Sequence, residues 1–403
     1  MMNNEKLELA IERFYSRFEA LNSEILQEFG KTISKFEGLT PTEAHILAQQ
    51  MKNGREIDKI MENLEKASQL SRKDLEELLE IAAEENIEFA NVYYEAKGMD
   101  KVSYKDSKQF QDIVKSVEKT TQGVFANLSS TTAIKLLKDN GEGYLMGIRE
   151  AYKDVIDRCV LAVSTGQNNY QKAMYDTIKQ LSNSGVRKIY YDNVGKKRPD
   201  GTIIKYPYSR RLDSSVRQNI LDGVRQVNIG IQEQVGKEFG SNGVEISAHS
   251  PCAEDHIFIQ GKQYSKKQFE KINANLKRPI GTLNCAHFIF SIVLGISSPN
   301  YTQKQLNQFK KESNEIIEYE GKKYTRYEAT QVQRRLETKI RQQKDLQITS
   351  KASGNKEGVR TAQQNITSLT KKYKDFSEKA GLDTQMQRMR VVSFKRINVN
   401  NMK

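Results

Sequence analysis

The sequence has few of the residues that would assign it to the commoner functional classes. Its 403 residues include three cysteines, too few for a disulfide framework, and this indicates a reducing compartment. It contains no run of 18 apolar residues, and residues 1–30 are charged rather than signal-like, so we expect a protein made in the cytoplasm without a membrane span. It also has no HExxH motif, Walker loop or nucleophile elbow, which disfavours the common hydrolases.

Charge is distributed unevenly along the chain. The net formal charge from Lys, Arg, Asp and Glu is −9 for residues 1–100, +6 for 101–200, +4 for 201–300 and +12 for 301–403. Since a long basic segment attracts polyanions by counterion release, nucleic acid is the natural partner of the C-terminal part. An acidic protein surface, or a solvated basic helix face without a partner, would explain the same pattern.

The N-terminal part predicts amphipathic helices. Thr40, Pro41 and Glu43 have the order of a capping box with a proline in the first turn, and Ser71 with Asp74 repeats the signal. Further helices are expected over residues 107–120, 131–137 and 146–181 because apolar residues recur there at helical spacing. The run NGEGYLMG at residues 140–147 predicts a helix-breaking hinge.

The middle of the chain changes to short alternating runs. Residues 187–192 and 202–206 predict two strands joined by the turn sequence Pro199–Asp200–Gly201. A helix is expected over 213–239 and a strand over 244–248. Together these elements predict a mainly α, α+β fold.

Two similar segments, residues 257–268 and 317–328, each predict a strand, a glycine turn, a second strand and a capped helix. Helices are expected at about 328–347 and 358–380, with a polar linker at 350–356. Because their apolar positions are sparse, these helices should pack on a partner or project as an arm.

The cysteines and histidines are clustered. Five of the seven in the chain fall between positions 249 and 287, namely His249, Cys252, His256, Cys285 and His287. Imidazole and thiolate are ligands that Zn²⁺ prefers, so a structural zinc site is one interpretation. The spacing is not that of a zinc finger, and ordinary core and turn positions are the other interpretation. A metal-dependent nuclease built on this cluster is a third.

Four segments resemble the phage minor capsid protein 2 family, which is related to head-morphogenesis proteins of the Mu and SPP1 type. They are RRLDSSVRQNILDGVRQVN (210–228), HSPCAEDHIFIQGKQYS (249–265), GTLNCAHF (281–288) and YEGKKYTRYEATQVQRRLETKIR (319–341). The resemblance covers about half of the chain. It implies a virion component of the phage head, present in few copies at the portal vertex, assembled in the host bacterial cytoplasm and without established enzymatic activity.

Charge pattern and resemblance together suggest three segments: an acidic helical domain (1–125), a mixed central domain with the Cys/His cluster (126–300) and a basic C-terminal arm (301–403). The first would dock on portal or major capsid protein, and the last would contact phage DNA without reading its sequence. A scaffold-like protein whose basic arm binds an acidic protein face is the rival. The candidate DNA contacts are Lys322, Lys323, Arg326, Arg334, Arg335, Lys339, Arg341, Lys344, Arg360, Lys371, Lys372 and Lys374.

Overall fold

Helices account for most of the structure, a computed structural model that describes residues 4–138, 140–197, 203–283 and 285–397. The helices are α1 Asn4–Ser34, α2 Pro41–Lys52, α3 Glu56–Ala96, α4 Lys108–Thr121, α5 Leu128–Thr131, α6 Ile148–Thr165, α7 Gln167–Ser184, α8 Leu212–Glu238, α9 Lys266–Asn275, α10 Gln303–Ser313, α11 Arg326–Ala352 and α12 Lys356–Lys379. No helix among these ranges is both long and apolar enough to cross a bilayer.

Short antiparallel strands form three small sheets, with orders β2-β1-β3-β4, β6-β5-β7 and β8-β9. The strands are β1 Thr132–Leu137, β2 Gly143–Gly147, β3 Arg187–Lys197, β4 Ile203–Arg211, β5 Gly243–Ile246, β6 Gln263–Ser265, β7 Ile289–Ile292, β8 Ile316–Tyr319 and β9 Lys322–Thr325. The predicted mainly α, α+β class is therefore confirmed.

Helix α1 is central to the largest hydrophobic core, where it packs against α3, α8 and α11. Its aromatic residues Phe14 and Phe18 stack on Phe125, with ring centroids 6.4 and 5.8 Å apart. All three rings are buried, and aromatic pairs of this kind contribute beyond the area they bury. The same core contains Leu346 and Ala362 from the C-terminal helices, so it draws on all three predicted segments. Their division into domains stays a prediction.

One predicted helix start is confirmed and the other is wrong. Thr40 caps α2 through a complete capping box with Glu43. Ser71 and Asp74, in contrast, lie in the interior of α3. Their polar atoms are used between helices instead, since Arg17 of α1 donates to the Ser71 hydroxyl at 2.7 Å and to the Asp74 carboxylate at 2.6 Å.

The helix predicted over residues 131–137 is a strand. Residues 132–137 form β1, which pairs with both β2 and β3, and Ala133, Ile134 and Leu136 lie in the core. Most of the predicted hinge at 140–147 is strand β2. For residues 131–137, pairing of β1 with its neighbouring strands overrides the local helical spacing. The predicted helix over 146–181 begins at Ile148 and is divided into α6 and α7 at Gly166, whose φ is +108°.

The predicted β-hairpin exists as β3 and β4, with strands longer than predicted. Its expected turn, Pro199–Asp200–Gly201, lies outside the described residues. The predicted strand over 244–248 corresponds to β5 and the helix over 213–239 to α8.

Of the two similar segments, only the second has the complete predicted form. Residues 317–328 contain β8, a glycine turn, β9 and the start of α11. In the first segment residues 257–261 form turns, and its one strand, β6, pairs with β5 instead. Both helices are capped as predicted, by Ser265 with Gln268 and by Thr325 with Glu328. The local capping signal is therefore more reliable than the strand signal here.

The C-terminal helices do not project as an arm. Helices α11 and α12 form a hairpin, and α11 packs along α1 and α7. A second core joins α11, α12 and β8 around Leu336, Ile340, Tyr373 and Phe376. The few apolar residues suffice because buried polar groups, such as Gln347 with Gln363 at 3.0 Å, bond to each other inside the hairpin.

The crossing of α1 and α11 requires a glycine. A Cβ atom on Gly30 would lie 2.6 Å from the Thr349 carbonyl oxygen and 2.8 Å from the Ala352 Cβ. We expect Gly30→Ala to lower the free energy of unfolding by about 1–3 kcal/mol in urea titrations, because the helices must move apart. Gly123→Ala, where an added Cβ meets nothing within 4 Å, is the control. Equal stability of the two variants would contradict a tight crossing.

Candidate metal centre and basic surface

Three residues of the Cys/His cluster meet at one point beside the β6-β5-β7 sheet. His256 lies in a turn before β6, and Cys285 with His287 lies just before β7. The Cys285 Sγ atom is 3.4 Å from His287 Nδ1 and 3.8 Å from His256 Nδ1. All three residues are buried, and their donor atoms lie within 4.8 Å of one another. The predicted convergence of distant positions is therefore observed for these three.

The remaining ring nitrogens of the two histidines are held by oxygen acceptors. His256 Nε2 is 2.7 Å from the Arg278 carbonyl oxygen, and His287 Nε2 is 3.0 Å from Oε1 of Gln260. That Gln260 oxygen also accepts the backbone N–H of His249 at 3.0 Å. Because both oxygens are acceptors, each Nε2 carries the ring proton, and each Nδ1 directs a lone pair toward the cysteine.

The other two members of the cluster lie beside this group. The His249 ring is 4.2 Å from that of His287, centroid to centroid, and its buried Nε2 has no hydrogen-bond partner among the described residues. Cys252 is buried, with Sγ 3.9 Å from the Ser313 hydroxyl, and is not one of the three converging residues. The sequence predicted all five as a cluster, and the structure brings three of them within ligand distance.

Burial is the main influence on the pKa values of His249, His287 and Cys252. It lowers the pKa of His249 to about 4 and that of His287 to about 2, and it raises the pKa of Cys252 to about 11. Burial also opposes charge on His256 and Cys285, but their mutual contact outweighs it. The pKa of His256 is therefore raised and that of Cys285 lowered. His287 stays neutral at physiological pH.

A second polar site, not predicted from the sequence, lies between the three segments. Arg211 donates to Asp345 at 2.8 Å and contacts Asp213 at 3.4 Å, and Arg341 donates to Asp213 at 2.9 Å. Arg341 also donates to the Tyr15 hydroxyl at 2.8 Å. These four side chains, two arginines and two aspartates, are at least 90% buried, and we call them the charge quartet.

The charge quartet connects α1, the start of α8 and α11. Asn22 of α1 extends it by donating to Asp345 at 3.2 Å, while its side-chain oxygen accepts the Val186 N–H at 2.8 Å. Burial alone would raise the pKa of Asp213, but the flanking guanidinium groups outweigh burial and lower it. The site therefore holds a carboxylate between two arginines.

Sequence reasoning missed the charge quartet because its partners are far apart in the chain. Asp213 and Arg341 are 128 positions apart. Two signals were present: Arg211 and Asp213 lie in one of the four family-like segments, and Arg341 and Asp345 are one helical turn apart. Arg341, a predicted DNA contact, is therefore a core residue, and we remove it from the candidate surface.

Most of the other predicted DNA contacts lie on the surface of the C-terminal hairpin. Those that are exposed are Lys322, Lys323, Arg335, Lys339, Arg360, Lys371, Lys372 and Lys374. On α11, Arg335 and Lys339 are one turn apart on a shallow face with Gln331, Thr338 and Gln342. We call these eight exposed residues of β9, α11 and α12 the basic surface.

Several predicted contacts already have partners within the chain. Arg326 pairs with Glu315 at 3.1 Å and Arg334 with Glu337 at 3.0 Å. Lys344 is half-buried and donates to the Met389 carbonyl oxygen. Lys372 is exposed and pairs with Glu320 at 2.6 Å. These four are weaker candidates for phosphate contact than Arg335 and Lys339.

The N-terminal region carries the opposite charge. Exposed glutamates lie along α3. Near the end of the helix, the side chains of Phe89, Val92 and Tyr93 are 38, 63 and 46% exposed. The exposed glutamates are Glu62, Glu65, Glu76, Glu77, Glu80, Glu84, Glu88 and Glu95. We call this the acidic face. An exposed apolar patch bordered by charged residues is typical of a protein interaction site.

Comparison with known proteins assigns the chain to a family. A family model described as Phage minor capsid protein 2 matches residues 2–378, nearly the whole chain. No curated protein and no solved structure matches it. The match extends the resemblance found in the C-terminal half through α1 to α7, where no motif had been identified. The chain therefore belongs to the phage minor capsid protein 2 family and is a structural protein of a bacteriophage particle.

Proposed function

We propose that the protein connects the phage head shell to DNA at the portal vertex, without catalysis. The acidic face of α3 would dock on portal or major capsid protein, and the basic surface of the C-terminal hairpin would face the DNA. The observation that carries the proposal is that the basic surface and the acidic face belong to different helices, α11–α12 and α3.

The DNA half of the proposal rests on exposure and spacing. Arg335 and Lys339 are exposed, and no described residue forms an ion pair with either. Lysines and arginines that are not paired within the protein can each replace counterions on a phosphate. Contacts of this kind are independent of base sequence.

Salt dependence of binding tests this half. For the full chain with a duplex of random sequence, we expect the logarithm of the binding constant to fall linearly with the logarithm of salt concentration. Neutralising Arg335 and Lys339 together (Arg335→Gln with Lys339→Gln) should reduce the magnitude of this negative slope by about two, because two phosphate contacts are lost. Fluorescence anisotropy over a salt series measures both slopes.

The matched control is Lys66→Gln with Lys73→Gln, two exposed lysines of α3. It removes the same charge from the acidic face and should leave the slope unchanged. A flat salt response, or equal slopes for the two double variants, would exclude the basic surface as the DNA contact.

The docking half is tested on particles. Chemical cross-linking of purified virions followed by mass spectrometry should join lysines of α3, such as Lys66 and Lys73, to portal or major capsid protein. Cross-links from α3 only to other copies of this chain would instead support the scaffold-like alternative. Virions that lack the polypeptide would exclude the docking proposal.

A further inference from the structure

We infer that His256, Cys285 and His287 bind one zinc ion that holds the loop before β6 to the segment before β7. The inference is independent of the proposed contacts with portal protein and DNA. Its first support is geometric. With Zn–N near 2.0–2.1 Å and Zn–S near 2.3 Å, donors of a tetrahedral site are about 3.3–3.7 Å apart. The two sulfur–nitrogen separations of 3.4 and 3.8 Å are close to this range.

The second support is the orientation of the two imidazoles. Each Nε2–H group donates a hydrogen bond to an oxygen atom, the Arg278 carbonyl for His256 and the Gln260 side chain for His287. Metal-bound histidines in proteins are held in this way, with the second ring nitrogen donating to a carbonyl or amide oxygen. Both Nδ1 lone pairs are thereby directed at the same sulfur atom.

The third support is that a single thiol cannot satisfy this arrangement. The Cys285 S–H group has one proton and can donate to one Nδ1 only, so the other nitrogen lone pair faces a sulfur lone pair in a buried site. Transfer of the proton to His256 gives an imidazolium–thiolate pair, yet leaves the Nδ1 lone pair of His287 facing a thiolate at 3.4 Å. A bound cation accepts all three lone pairs at once.

Zinc fits this donor set better than calcium or magnesium. Calcium and magnesium take oxygen ligands, whereas two imidazoles and one thiolate suit zinc. The fourth position is left to a water molecule; Nε2 of His249, which is buried without a hydrogen-bond partner among the described residues, lies nearby but outside the converging group. The surrounding core of Val244, Ile246 and Ile289 favours a structural role over a catalytic one.

Metal analysis of the full chain is the first test. Protein purified without added metal and dialysed against a weak chelator should retain about one zinc per chain. Cys285→Ser and His287→Gln should each retain less than about a tenth of an equivalent. The control Cys159→Ala removes a buried cysteine in the helical core and should retain full occupancy.

Cobalt substitution gives a second readout that does not depend on the stability of a variant. Wild-type protein loaded with Co²⁺ should show an ultraviolet thiolate-to-cobalt charge-transfer band and the visible bands of tetrahedral coordination. Cys252→Ser should keep the charge-transfer band, since its sulfur lies outside the converging group. Folded wild-type protein that retains no zinc and gives no such band would overturn the inference in favour of an imidazolium–thiolate pair.

A DNA-nicking assay on the zinc-loaded protein distinguishes structural from catalytic metal. Zinc without cleavage is the expected result. Cleavage by the wild type that is lost in His287→Gln, while Cys159→Ala cleaves normally, would overturn the structural role.

Discussion

Asp213→Asn should lower the free energy of unfolding by about 3–5 kcal/mol, since it leaves two buried guanidinium groups facing one carboxylate. Asp213 accepts hydrogen bonds from Arg211 and Arg341 at 3.4 and 2.9 Å and is 1% exposed. Its amide analogue has nearly the same shape but no charge. Urea unfolding followed by circular dichroism measures the difference.

The control for this substitution is Asp58→Asn. Asp58 accepts a hydrogen bond from Arg149 at 2.6 Å, but both partners are about half exposed. Pairs exposed to this degree contribute about 0–1 kcal/mol. If Asp213→Asn costs no more than Asp58→Asn, the charge quartet does not stabilise the fold.

A double-mutant cycle addresses the case in which Asp213→Asn is too unstable to measure. Replacing Arg341 with Met in the same chain removes the guanidinium group that Asp213→Asn leaves without a carboxylate, so the double variant should be more stable than the sum of the single changes predicts. Additive effects would mean that Asp213 and Arg341 do not interact energetically.

Glu19→Gln should stabilise the protein above pH 7 and have little effect below pH 5. Glu19 is fully buried on α1, where its carboxylate accepts the Val392 N–H and the Ser23 hydroxyl. Burial raises the pKa of Glu19 to about 7, and the negative charge of Asp345 adds to the increase. Lys344 lies near enough to oppose it, but is itself half-buried.

The direction of the pH effect follows from proton binding. Between pH 4.5 and 7 the folded state keeps a proton on Glu19 that the unfolded chain releases, so this group makes stability fall as pH rises. A shift from 4.5 to about 7 corresponds to about 3 kcal/mol at pH 8. Glutamine keeps the acceptor oxygen but has no charge, so the variant should not show this decrease in stability as the pH rises.

The measurement is the difference in unfolding free energy between Glu19→Gln and wild type at pH 5 and pH 8. Glu24→Gln is the control, since Glu24 is exposed on the same helix and its charge is solvated in both states. A difference for Glu19→Gln that is the same at the two pH values would contradict burial of a titrating carboxyl.

Local signals in the sequence predicted local structure well. The capping boxes of Thr40, Ser265 and Thr325 mark the starts of α2, α9 and α11, because each depends on residues within one helical turn. The strand β1 was mistaken for a helix since six residues with Ala, Ile and Leu fit either period. Its conformation depends on pairing with β2 on one side and with β3, some 55 residues later, on the other.

For the candidate sites too, the sequence predicted which residues cluster along the chain but not which of them meet in the fold. Clustering of rare residues identified the candidate metal centre, yet only the fold shows that Cys252 lies beside the three converging residues rather than among them. The charge count identified the basic C-terminal segment, but counting cannot tell exposed Arg335 from buried Arg341. That distinction depends on Asp213, whose proximity no local pattern encodes.

The packing of α11 along α1 constrains how the polypeptide is made. At a synthesis rate of about 5–20 residues per second, α1 leaves the ribosome tens of seconds before its partner helix exists. The part of α1 around Gly30, which lies against Thr349 and Ala352 of α11, must wait through most of translation, whereas Phe29 can pack on Tyr152 of α6 earlier. Final closure of the main core is therefore a post-translational event, and nascent chains are open to chaperones until then.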